Sequence, residues 1–523
     1  MAEVKRIQQS TFDDVVKENV EDFDMSVDEA LADAINQFTS QKVDLSNVDL
    51  TGGVGREEVQ DAIAAIKVPL AEMVEADCMA GLAKLTDLCS DKHQFGVRNM
   101  NLMNSDGGMN AAMELLNALV PTPVILSAAT FLALVCKHNQ DCRDFFEPGG
   151  SKRLESLLTM QPIGEENEAD ADVDVLKACF LLGKVVTKSE NNKVFLMGKG
   201  MAPTLVKVLK SPHALTEAWA EATTDACLML RGLCLFDDLR KEQSCAYENG
   251  RAFMKEGAMA PLLTLAAAFD AFPNVASAAM AAAKQLVTSE EAVVLAAKCG
   301  AMALPSAILG NPESSLSLVR SLLGLTRNLC ADDARKSKLT QDGTLPLLIA
   351  ALNREALYND AVLVEHGHAC LAAMSLRSPA NSERIAAAGG LEVLACGMRR
   401  HAEKVALQRQ GCLCIRNISA RCEGLRPQIL DAGIEPLLRA AGRYQDSVDE
   451  AYGALRDLGC EVQRVRVDKD TGTVTTAFEE FGGYKAQGKP KRFNPIYDDR
   501  DDIVETVQEN AKVTTPSRTH FSS

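Results

Sequence analysis

From Phe12 onward the apolar positions fall at helical spacing, with Phe12, Val15, Val16, Val20 and Phe23 forming one stripe after Ser10 and Thr11. Ser26-Val-Asp-Glu29 then reads as a capping box that opens a second helix, whose stripe is Ala30, Leu31, Ala34, Ile35 and Phe38. Val43 to Val48 leaves the helix, and Thr51 to Gly55 (TGGVG) predicts a flexible joint. Beyond it the pattern becomes repetitive. A glycine, a helix opening with Pro or a small residue, and a Leu pair recur in GMAPTLVKVL from Gly200, GAMAPLLTLA from Gly257, GTLPLLIAAL from Gly343 and GIEPLLRAAG from Gly433. GGMNAAMELL from Gly107, GGSKRLESLL from Gly149, GAMALPSAIL from Gly300 and GGLEVLACGM from Gly389 are further copies.

Counted from the glycine nearest each helix, the copies sit at 108, 150, 200, 257, 300, 343, 390 and 433, in steps of 42 to 57 residues. Glycine ends a helix in the left-handed conformation without a Cβ penalty. Pro203, Pro261, Pro346 and Pro436 then fall in the first turn of the next helix, where the missing N–H costs nothing. Leu347, Leu348, Leu437 and Leu438 are expected to face the neighbouring repeat. One such unit cannot bury its apolar face alone, so stacking supplies the core at about 1.5 to 3 kcal/mol per buried Leu. The two longest steps hold inserted loops, Gly164 to Asp174 (GEENEADADVD) and Phe236 to Gly250 (FDDLRKEQSCAYENG), which belong on one edge of a stack.

A period near 43 with three helical segments resembles the armadillo repeat. The resemblance implies an all-α fold, a right-handed α-α superhelical solenoid of about eight to nine repeats. A second shared element precedes the glycines, in LMLRGLCLFDD at Leu228, LGLTRNLCADD at Leu323, CLCIRNISARC at Cys412 and GALRDLGCEV at Gly453. These are expected to end the long helices on the concave face, making Arg231, Arg327, Asn328, Arg416, Asn417, Arg456 and Asp457 the candidate partner-binding residues.

Armadillo proteins resembling importin-alpha or beta-catenin clamp extended peptides with a ladder of Asn side chains. Counting back from each glycine puts that ladder at Asp87, Leu134, Lys184, Gly232, Gln285, Asn328, Ser375, Asn417 and Asp457. Only two are Asn, and Gly324 and Leu413 stand one turn earlier where Trp is expected. An importin-alpha-like cargo adaptor is therefore a secondary reading, beside a structural component of a cytoskeletal or ciliary assembly. The principal expectation is a non-enzymatic scaffold or adaptor that binds a partner protein or peptide.

The stretch FDDVVKENVEDFDMSVDEALADAINQFTSQKVDLSNV, Phe12 to Val48, is similar to the N-terminal signature of the armadillo repeat-containing protein 6 family. LRGLCLFDDLR (Leu230 to Arg240), CLCIRNIS (Cys412 to Ser419) and LRDLGCEV (Leu455 to Val462) extend the likeness in order. It implies an intracellular armadillo solenoid with no assigned enzyme activity. The expected organisation is a helical N-terminal cap over 1–50, a solenoid over 56–460, and a C-terminal tail over 461–523, disordered or extended. Two tail features are candidates for function, the docking phrase Phe493, Pro495, Ile496, Tyr497 and the basic cluster Lys489 to Arg492.

Composition narrows the function classes. With 55 basic and 72 acidic side chains the net charge is −17, which disfavours general nucleic-acid binding and makes basic partners electrostatically natural. Aromatic content of 5% is thin for a β-sandwich or propeller. Leu115 to Cys136 carries no charge, but Pro121-Thr122-Pro123 breaks it into what reads as two buried helices, so no membrane span is expected. There is no P-loop, nucleophile elbow or H-E-x-x-H, and Gly52-Gly53-Val54-Gly55 lacks a preceding strand. His366 and Cys370, and Cys136, His138 and Cys142, fall short of four zinc ligands, so neither metal nor cofactor is expected. Sixteen cysteines and no signal peptide point to the cytoplasm, with nucleus or cilium as further settings.

Overall fold

A computed structural model describes residues 5–462, apart from 24, 46–47, 49, 51–55, 94–95, 148 and 164–170, together with strands at 464–467 and 474–477. Among the described residues the chain forms 29 α-helices, and its contacts divide it into two compact units, Met1–Ala258 and Met259–Ser523. Both units show the all-α armadillo arrangement: two shorter helices, then a long third helix that packs on the third helix of the next repeat. In the first unit the third helices are Glu75–Leu88, Thr122–His138, Val173–Val186 and Ala220–Leu233. In the second they are Pro273–Leu286, Leu316–Leu329, Ala361–Ser375, Val405–Ser419 and Val448–Asp457.

Glycine sets the repeat boundaries, with one refinement of the expected positions. Gly200, Gly257, Gly300, Gly343 and Gly433 take positive φ as the repeat phrase requires. At the doubled glycines it is the first, Gly107 (φ 80°) and Gly389 (φ 88°), that makes the left-handed turn. Gly108 and Gly390 lie inside the following helix, where a Cβ would sit 2.3 Å from Met103 and 2.5 Å from Ile385. The pair at 149 and 150 makes no left-handed turn; Gly150 is instead pressed against the Phe146 ring.

From Thr122 the uncharged stretch belongs to the helix Thr122–His138, which runs two residues past it and is preceded by a turn rather than by a second helix within the stretch. Among the described residues no single helix is long and apolar enough to cross a membrane.

At the N-terminus the helices Gln9–Glu21 and Val27–Ser40 form where the stripes predict them. The capping box closes in both directions: Glu29 N donates to Ser26 Oγ at 3.4 Å, and Ser26 N donates to the Glu29 carboxylate at 3.1 Å. Phe12, Ala34, Phe38, Val43 and Val48 make a small core of their own. Phe23 does not join it; the helix ends at Glu21, and the ring is 63% exposed. Lys5–Arg6 pairs in parallel with Val43–Asp44, and Arg6 reaches both Asp44 (3.1 Å) and Asp141 of the repeats (3.3 Å). After the last third helix, Arg464–Val467 and Val474–Ala477 pair as antiparallel strands. The TGGVG joint, most of the acidic loop (164–170), the basic cluster Lys489 to Arg492 and the docking phrase Phe493 to Tyr497 lie outside the described residues.

Candidate functional site on the third helices

Buried side chains fasten one helix to the next and so reveal which positions are equivalent. Thr187, Ser375 and Ser419 end their third helices by donating the hydroxyl to the carbonyl three residues back, on Lys184, Ala372 and Arg416. Asn99, Asn192, Asn249 and Asn381, on the following first helices, donate to Leu88, Val186, Leu233 and Met374 carbonyls at 2.7 to 3.1 Å. An unpaired carbonyl in such a place would cost about 1 to 3 kcal/mol, so these amides hold the repeat together. The two sets agree on one register, in which Ala373 rather than Ser375 corresponds to Asn417, and Val185 rather than Lys184 does so in the first unit. Counting from Gly390 when the boundary is Gly389 accounts for one of the two residues by which Ser375 is displaced; the other, like the single residue at Lys184, comes from the distance to the glycine varying between 15 and 16 residues.

In that register Arg231, Arg327, Arg416 and Arg456 occupy one equivalent position, and Asn328, Asn417 and Asp457 the next. Arg231 lies in the first unit, and the other six candidates lie in the second. All are half-buried except Asn328, which is 8% exposed. The two Asn side chains are already engaged: Asn328 Nδ2 donates to Val287 O at 3.1 Å and Asn417 Nδ2 to Ala372 O at 2.9 Å, each across to the preceding repeat. Arg456 is paired with Asp457 at 2.6 Å. The Arg416 side chain lies across Gly453 of the next third helix, where a Cβ would come within 2.8 Å of its Nε.

Lys284 belongs to the same column and escaped the sequence reading, because Gln285 stands where an Asn was sought. Its stem lies over Gly324, whose Cβ, if present, would sit 2.5 Å from Lys284 Cδ. The pairing of a long basic side chain with a small residue three positions before the next column member was the available signal. Two turns earlier on the same helices, Arg320 pairs with Asp360 at 2.6 Å and Arg409 with Glu450 at 3.1 Å.

The inserted loop after Phe236 stands where the sequence places it, and what the sequence does not show is how it is anchored. Lys193 is fully buried and donates to the Leu235 carbonyl and to Asp237 Oδ1 at 2.6 Å, with Glu190 at 3.6 Å. Burial raises the Asp237 pKa despite that lysine. Asp238 accepts Glu190 N and the Arg240 guanidinium, and those bonds outweigh its desolvation, holding its pKa down to about 2. Glu190 in turn accepts from Cys245 N and from Ser244 Oγ at 3.1 Å, and Arg240 reaches Asp144 at 2.7 Å. The loop is thus anchored at both ends by charge.

The weighed metal candidates serve as packing. His366 Nδ1 meets Arg320 O at 3.1 Å, and Cys370 Sγ donates to Leu323 O at 2.9 Å. Burial pushes the Cys370 thiol up to about 12, a poor state for a thiolate ligand or nucleophile. Cys142 Sγ donates to Met100 O at 3.7 Å.

Comparison with known proteins agrees with the reading of the N-terminal signature. Residues 4–61 match the Armadillo repeat-containing protein 6 N-terminal domain. The chain is 28% identical over 385 residues to the Armadillo repeat-containing protein 6 homolog of Drosophila melanogaster, covering 71% of this chain and 78% of that one. It is 26% identical to Armadillo repeat-containing protein 6 of Homo sapiens over 398 residues, covering 73% and 76%. Among solved structures, an engineered protein aligns over 77% of this chain and 99% of its own at 16% identity and a TM-score of 0.48, and a designed armadillo repeat protein over 49% and 99% at 20% and 0.41. The family resemblance read from Phe12 to Val48 therefore holds: the chain carries the Armadillo repeat-containing protein 6 N-terminal domain and is similar to proteins of that name along most of its length.

Proposed function

We propose that this protein is a non-enzymatic scaffold that engages a protein partner along the face formed by its third helices, in a reducing compartment such as the cytoplasm. One observation carries the reading: in the second unit, basic and polar groups stand at one register of four of the five third helices, from Lys284 and Gln285 to Arg456 and Asp457, with Ala372 and Ala373 at that register on the other. Regularly spaced hydrogen-bonding and charged groups suit a ligand that runs across the helices.

The test uses a photo-crosslinking residue introduced in the full chain at Arg327, at Arg416, or at the exposed first-helix position Lys338. Crosslinked protein from Arg327 and Arg416 but not from Lys338 supports the assignment. Crosslinking confined to Lys338 would show that partners use the other edge.

A further inference from the structure

We infer that the N-terminal segment built on the helices Gln9–Glu21 and Val27–Ser40 is coupled to the inserted loop through one short helix, so that release of the segment from the repeats loosens the loop. The helix is Gln140–Phe145, a first helix of the first unit. Arg6 of the N-terminal segment reaches its Asp141 at 3.3 Å and also holds Asp44 at 3.1 Å. Arg240 of the loop reaches its Asp144 at 2.7 Å and also holds Asp238 at 2.9 Å. Asp141 and Asp144 are three residues apart and therefore share one face of the helix. Neither the segment nor the loop is needed to stack repeats, yet each closes a chain of three charged groups on that face.

The helix does not hold its shape alone. Its 6 residues are far short of the length at which an isolated helix forms, so its geometry is set by what fastens it. Asn139 caps it, accepting from Cys142 N at 3.1 Å and donating to Asn101 Oδ1 at 2.7 Å, and Cys142 Sγ donates to Met100 O at 3.7 Å. Those bonds tie one side to the preceding first helix, Gly96–Ser105. The two carboxylates, 45% and 44% exposed, take up the N-terminal segment and the loop. A displacement of Asp141 moves Asp144 with it, because a single helical turn joins them.

The N-terminal segment is built to move as a body. Its core of Phe12, Ala34, Phe38, Val43 and Val48 draws on its own residues, so it keeps that core when it leaves the repeats. The ion pair it makes to the repeats is exposed on both sides, a setting in which a pair contributes little. The loop is held more firmly: the Asp238 side chain is only 3% exposed, and Glu190 N donates to it at 3.2 Å. The weaker contact therefore lies on the side of the N-terminal segment, which makes that segment the part released and the loop the part that responds. By linkage, a ligand that favours the released segment loosens the loop, and a ligand of the loosened loop favours release by the same factor.

The experiment is hydrogen–deuterium exchange of the full chain, read in peptides over 236–246, which contain the hydrogen-bonded amides of Arg240, Lys241 and Cys245. Arg6→Met and Asp141→Asn should each speed exchange there about threefold, equivalent to about 0.7 kcal/mol, and leave the second-unit helices Leu316–Leu329 and Val405–Ser419 unchanged. The double variant should match either single one, because both remove the same tie. Electrostatic field alone would give the two variants opposite signs, since losing a positive charge near Arg240 holds it more firmly and losing a negative one holds it less. Unchanged exchange over 236–246, opposite responses to the two substitutions, a double variant faster than either single one, or equal acceleration in the second unit overturns the inference.

Discussion

Replacing the buried Lys193 by Met should destabilise the first unit far more than the corresponding change at Lys336 destabilises the second. Both lysines stand at the fourth position of a first helix and donate to a carbonyl just beyond the third helix of their own repeat, Leu235 O and Leu376 O. Their acidic partners differ. Asp237 faces Lys193 with its side chain only 25% exposed, whereas Asp333 beside Lys336 is 85% exposed. Removing one member of a buried pair costs about 3 to 5 kcal/mol, and residual hydration of Asp237 puts Lys193→Met at the lower end, about 3. Lys336→Met loses a charged hydrogen bond of about 1.5 to 2 kcal/mol and almost nothing from its exposed pair. Urea unfolding of each variant gives the comparison, and amide exchange locates it, with residues 236–250 opening first in Lys193→Met. The deficit should shrink between pH 7 and 5: without the lysine, burial raises the Asp237 pKa further, the folded state then takes up a proton before the unfolded one, and stability recovers as pH falls. Asp237→Asn added to Lys193→Met should restore part of the loss. A Lys193→Met no weaker than Lys336→Met, or no relief from Asp237→Asn, refutes the buried-pair account.

Asn328→Ala should lower stability by about 1 to 2 kcal/mol, because it strands the buried Val287 carbonyl, while Asn417→Ala at a half-buried site costs less; chemical denaturation midpoints check the order. Desolvation lowers the pKa of the buried His368 to about 4, against about 6.5 when unfolded, so the unfolded state protonates first and stability falls from pH 6.5 to 4 by up to about 3 kcal/mol. His368→Leu should flatten that stretch of the melting-temperature profile. Gly324→Ala should leave stability within about 1 kcal/mol of the original by urea denaturation, since better helix propensity offsets the displaced Lys284 stem.

The repeat was legible because glycine at a left-handed turn and proline in a first turn are local demands that sequence alone expresses. Gly200, Gly343 and Gly433 fall where the phrase puts them. The register errors have two sources. At Gly107-Gly108 and Gly389-Gly390 either residue could make the turn, and only packing against Met103 or Ile385 decides it. Choosing the wrong member displaced the polar ladder at Ser375 by one residue, and the variable distance from third helix to glycine displaced it by one more there and by one at Lys184. The buried amides Asn99, Asn192, Asn249 and Asn381 passed unnoticed, since a polar residue on a helix reads as surface until its carbonyl partner is known.

The charge balance shows a further limit of reading composition. A net −17 describes the whole chain and suggested a basic partner, yet charges further apart than about 8 to 10 Å are screened at ordinary salt. A ligand lying across third helices senses only the groups within that distance, and in the second unit these are of both signs, Lys284, Arg327 and Arg416 standing with Glu365 and Asp457. What joins them is neither sequence proximity nor composition but the 41 to 47 residue return of the stack, seen in bonds such as Asn328 to Val287 and Cys370 to Leu323. The sign of an armadillo face therefore follows from the register of its third helices, residue by residue, and not from the net charge of the chain.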